Sequence, residues 1–134
     1  MSGETNLDRL LRGMSAELVD GVYVFATVAQ GDVPKGLTPR MMFHEAEGVT
    51  LVLLQDEAQA AGLAFDFPCR MITLNVHSAL EAVGFIARIA TVLAGAGMGV
   101  NPVAGFYHDH LFIPENHAED AMHLLAQLAK GALD

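Results

Sequence analysis

The stretch Met71–Pro114, MITLNVHSALEAVGFIARIATVLAGAGMGVNPVAGFYHDHLFIP, leaves this chain few architectures. Ile72, Leu74 and Val76 alternate with Thr73, Asn75 and His77, the two-residue period of a half-buried strand. Ser78-x-x-Glu81 fits a capping box, and the spacing predicts a helix from Ala79 to about Ala94 with Val83, Ile86, Ile89, Ala90 and Leu93 on one stripe. Phe85 and Val92 make its other side apolar as well, so this helix wants two neighbours. Met98–Phe106 and His110–Pro114 read as two more strands around a tight turn, and Pro102 confines the first to a sheet edge or a bulge. The order is strand, loop, helix, strand, turn, strand. Between Asn75 and Glu81 a strand end meets a helix start, where backbone amides can receive a small anion.

The first half reads as a helix, strands and a second helix, and TLVLLQDEAQA resembles HLFIPENHAEDA as a weak internal repeat. Leu7, Leu10, Leu11 and Met14 make one stripe of a short helix, with Thr5 or Asn6 as its cap. Val22–Val28 is a β-branched and aromatic run, and 30–39, with two prolines and two glycines, is a loop. Met41–Ala46 and Val49–Leu54 flank Glu47-Gly48 as a hairpin, and a helix over 56–61 stops at Gly62. Asn116 and Glu119 resemble a capping box for a last helix striped by Ala121, Leu124, Leu125 and Leu128. The second half is then a βαββα unit short of one strand, which Val22–Val28 or Val49–Leu54 could supply.

Composition excludes several functions. Sixteen acidic residues against seven basic ones give a formal charge of −9, with no Lys/Arg cluster, so nucleic acid is not an expected partner. The chain is 52% hydrophobic and only 17% charged, so some apolar surface is expected to hide in a second copy, as a homodimer. Cys69 stands alone, which rules out an intrachain disulfide and a multi-cysteine metal cage. Ile89–Tyr107 is uncharged, but four glycines or prolines in 97–105 break it, and MSGETNLDRLL lacks a secretory pattern. The expectation is a cytoplasmic protein without a membrane span.

GVYVFATV at 21–28, HEAEGVTLVLL at 44–54, LNVHSALEAVGFIARIA at 74–90 and NPVAGFYHDHLFIP at 101–114 together resemble the ACT domain family. That family's unit is a βαββαβ ligand-sensing module of amino-acid metabolism. The whole chain is similar to small, mostly uncharacterised bacterial proteins with two such units in tandem. The resemblance implies an α+β fold of two ferredoxin-like halves, divided as 1–68 and 69–134, with antiparallel sheets and helices on one face. It implies a non-catalytic regulatory protein whose ligand is an amino acid, with no cofactor. Glu81-x-x-Gly84 stands for the family's acidic-x-x-Gly turn, where its ligands tend to sit.

The expected ligand residues are Asn75, His77, Ser78, Ala79, Leu80, Glu81, Gly84, Asn101, Tyr107, His108 and His110. Ser78 would cap the helix while amides near Ala79 and Leu80 take a carboxylate, and Glu81 or Asn75 the ammonium. Gly84, in the helix's second turn, would allow a close backbone approach. Two other readings compete. His77, His108 and His110 could hold zinc in a metal-dependent enzyme, although Asp109 in a hairpin turn would splay the histidines; no metal is expected. A purely structural interaction module is the third reading. Cys69 reads as an inert packing residue.

Overall fold

The computed structural model describes residues 6–76 and 82–133. Its elements run α1 (Leu7–Gly13), β1 (Ser15–Leu18), β2 (Tyr23–Val28), β3 (Met41–His44), β4 (Val49–Leu54), α2 (Gln55–Ala60), β5 (Asp66–Asn75), α3 (Phe85–Gly95), β6 (Asn101–Ala104), β7 (Asp109–Pro114) and, after a 3₁₀ turn, α4 (Ala118–Ala129). They fall into two compact units, one of Gly21–Cys69 and one of Met1–Asp20 with Arg70–Asp134. β5 passes from the first unit into the second.

In the 21–69 unit the strands lie in the order β3-β4-β2-β5. β2 pairs with β4 along its whole length, from Tyr23 opposite Leu54 to Val28 opposite Val49. Alternation then sends Val24, Ala26, Val49, Leu51 and Leu53 to one face, where Ala58 of α2 covers them. The β2–β3 connection has no helix; Val33 and Leu37 from that loop pack on the same core. The hairpin expected at Glu47-Gly48 joins β3 to β4, and α2 stops before Gly62, whose φ is +70°.

In the other unit the order is β1-β5-β7-β6, every position of a βαββαβ sheet filled. The strand that the sequence reading sought in 22–28 or 49–54 is β1: Ser15 faces Asn75 and Leu18 faces Ile72, antiparallel. Ile72 and Leu74 from β5, Leu111 and Ile113 from β7, and Leu10, Ile89, Leu93, Leu125 and Leu128 from the helices form one buried core. β6, carrying Pro102, is the edge strand, as proline requires.

Two helix starts differ from the expected ones. α3 begins at Phe85, not Ala79, and its buried stripe is Phe85, Ile89 and Leu93, whereas Val83 precedes the helix and is 85% exposed. Phase explains the difference, since positions i, i+4 and i+8 from Phe85 all reach the core. α4 follows a 3₁₀ turn and has His117 at its N-cap with no side-chain cap bond, so the Asn116/Glu119 box does not form. No helix among the described residues is long and apolar enough to cross a membrane.

Candidate functional site

Asn75 ends β5 and Gly84 precedes α3; the segment between them is the loop singled out in the sequence. His77, Ser78, Ala79, Leu80 and Glu81 lie outside the described residues. Gly84 is the N-cap of α3, at φ +92°, with no side-chain cap hydrogen bond. It therefore does not lie in a second helical turn. Its backbone angle, not crowding, calls for glycine: a Cβ there would stand an ordinary 3.7 Å from Leu7 Cδ2. Its carbonyl accepts the first intrahelical bond, from the Arg88 amide at 2.9 Å. Glu81 then precedes the helix in sequence instead of belonging to its first turn.

β7 meets β5 near the β6–β7 turn. Thr73 Oγ1 meets His110 Nδ1 at 3.0 Å. Alternation along β5 puts Asn75 on the same face as Thr73, and His108 ends the turn two residues before His110. The His108 and His110 rings lie 6.4 Å apart between centroids, at 76°. This face is the one opposite the helices. The turn itself is Gly105–His108, closed by the Gly105 amide donating to the His108 carbonyl at 2.9 Å. Asp109 is not in it; it opens β7 opposite Ala104. A Cβ on Gly105 would stand 3.0 Å from the His108 oxygen and 3.3 Å from His110 Nε2, so glycine lets the turn close over the imidazole.

Tyr107 projects from the turn, 62% exposed, edge-on to Phe106 at 5.1 Å. Asn101 faces Phe112, three residues along β6 from Ala104 at the turn, which is about 10 Å of strand. The structure thus brings His110 to Thr73 and the His108 ring near that of His110, keeps Asn75 on the Thr73 face of β5, sets Tyr107 in the turn beside His108, and leaves Asn101 at the far end of the hairpin.

Two polar residues not singled out in the sequence join this face. Thr73 anchors His110, and Glu17 of β1 accepts a hydrogen bond from Asn75 Nδ2 at 3.4 Å. Thr73 was visible as the polar side of an alternating strand. Glu17 was not, because β1 itself was not. Among the described residues no three or more His, Cys, Asp or Glu side chains gather as a metal site. Cys69 is fully buried, and desolvation pushes its thiol up to about 12.

Comparison with known proteins agrees with this architecture. One ACT domain family model matches residues 2–70 and another matches residues 66–127. A crystal structure of a Vibrio cholerae protein of unknown function, described as a possible transport protein, is 46% identical, with 92% of this chain and 95% of that one aligned at a TM-score of 0.83. An Agrobacterium tumefaciens protein is 20% identical over 87% of this chain and 89% of its own, with a TM-score of 0.74. The regulatory subunit of aspartate kinase from Thermus flavus shares the fold at 12% identity, 85% and 96% coverage and a TM-score of 0.65. No curated protein matches the chain. With family models over both halves and a close relative over nearly its whole length, the chain belongs to the ACT domain family.

Proposed function

We propose that this protein is a non-catalytic sensor that binds an amino acid at the β5–α3 connection. The observation that carries the reading is Gly84: a left-handed N-cap without a side-chain acceptor at the head of an eleven-residue helix. A cap of that kind offers first-turn amides and the positive end of the helix dipole to a carboxylate. Glu81 or Asn75 would take the ammonium, with His77, His108 and Tyr107 around the side chain. Ser78, Ala79 and Leu80 belong to the same connection in sequence, and His110 is hydrogen-bonded to Thr73 of the strand that leads into it. ACT domains being regulatory modules, binding would act by favouring one packing over another, in proportion to the difference in affinity.

The proposal includes a homodimer in the cytoplasm, supported by large apolar side chains such as Phe43 and Phe106, each more than 60% exposed. A thermal-shift screen with the twenty amino acids tests the binding. At a hundred times its dissociation constant a ligand adds about 2.7 kcal/mol, a shift such a scan resolves. One or a few related amino acids should raise the melting temperature, and Asn75→Ala should weaken the effect. A flat response to all twenty would remove amino-acid sensing.

A further inference from the structure

β5 leaves β2 in an unusual way. Tyr23 pairs with Cys69 and Phe25 with Asp66, so Phe67 and Pro68 together oppose Val24 alone, a bulge. Phe67 sits at φ +61°, the one non-glycine residue with positive φ among those described. That conformation costs about 1–2 kcal/mol for an L-residue, and strain of this kind collects at functional sites. The Phe67 ring is held edge-on to Phe25, 5.8 Å between centroids at 65°. Past Phe25, β2 continues to Val28 while its pairing with β5 has ended. Between the diverging chains lies a cleft of about 350 Å³, walled by Phe25 and Phe65 and carrying Thr27, Thr50 and Asp66. That volume lies within the range of small-molecule sites.

The polar lining is one-sided. Asp66 is an acceptor when ionised, and Thr50 gives its proton to Glu45 Oε1, which leaves the hydroxyl oxygen to accept. No lining residue is basic. We propose that this cleft binds a primary ammonium group attached to an aromatic or branched apolar body. The ammonium donates to Asp66 and the threonine oxygens, while the apolar part lies against Phe25 and Phe65. A formal charge of −9 on the chain draws cations toward it. An amino acid fits poorly, because its carboxylate would meet Asp66 with no basic residue in the lining to offset it. The cleft thus differs from the β5–α3 connection in its chemistry and in the residues that line it.

Calorimetric titration of the full chain with phenethylammonium, phenethyl alcohol and phenylacetate tests the proposal. The amine should bind saturably, one per chain, about tenfold more tightly than the alcohol, and phenylacetate should not bind. Asp66→Asn should remove the amine's advantage and spare the alcohol. Ala64→Leu, on an exposed residue lining the cleft, should block both while any amino-acid response persists. Amine binding that survives Ala64→Leu would place it elsewhere on the acidic surface. Equal affinity for amine and alcohol, or no saturable binding, would overturn the proposal. Circular dichroism confirms that each variant is folded, and Thr27→Val, which removes a hydroxyl acceptor from the lining, should weaken the amine more than the alcohol.

Discussion

Burial changes the chemistry of Cys69. It has no exposed surface, and its Sγ donates to the Tyr23 carbonyl at 3.3 Å. Loss of solvent raises the thiol from 9.0 to about 12, so at neutral pH it is neither a nucleophile nor a metal ligand. The sign of the linkage follows. Below pH 9 the thiol is protonated whether the chain is folded or not, and contributes no slope. As pH climbs from 9 toward 12 the unfolded chain releases this proton and the folded chain keeps it, so stability falls. Urea midpoints at pH 7 and pH 10 should therefore drop more for the natural chain than for Cys69→Ala, and the native thiol should resist labelling at pH 8. Rapid labelling without unfolding would contradict the burial. Inertness was legible from a lone cysteine in an apolar run. The left-handed Phe67 two positions earlier was not, because it depends on the register between β2 and β5, which no local pattern encodes.

At the scale of elements, most strands and helices were readable because their periods were clean, and two errors fell at helix starts. Ser78 and Glu81 make a good capping box on paper, yet α3 waits for Gly84. The two readings differ in sign for one substitution. Were Gly84 inside a helix, alanine there would stabilise by about 1 kcal/mol. As an N-cap at φ +92°, the position instead charges an L-residue about 1–2 kcal/mol, and no crowding complicates the result. Gly84→Ala should lower the free energy of unfolding by that amount, read from the denaturant midpoint at constant slope. A stabilised variant would return the helix start to Ala79. β1 escaped notice for a different reason. SAEL is four residues long with no β-branched member, and it follows a strong helical stripe, so only its partner β5 identifies it as a strand.

That short strand determines how the molecule is partitioned. The family models meet near residues 66–70, whereas spatial grouping sends Met1–Asp20 to the unit of Arg70–Asp134. In that unit β5, β6 and β7 take the first, second and third positions of βαββαβ, and β1 takes the fourth although it comes first in the chain. Leu10, Leu11 and Met14 accompany it into the core. A fragment of 70–133 alone should then lack a strand and a helix, and expose Leu74 and Leu125. Moving residues 6–20 behind residue 133 should mend it, because the ends to be joined are close. Leu133 accepts a hydrogen bond from Arg88, and Leu7 lies against Gly84, four residues or about one turn earlier on α3. A linker of a few glycines and serines spans that gap. The permuted chain, 70–133 then linker then 6–20, should melt cooperatively and show dispersed amide resonances, whereas 70–133 alone should bind a hydrophobic dye and show neither. If both behave alike, the fourth strand is dispensable, and the unit's stability comes from the β5–α3–β6–β7–α4 segment by itself.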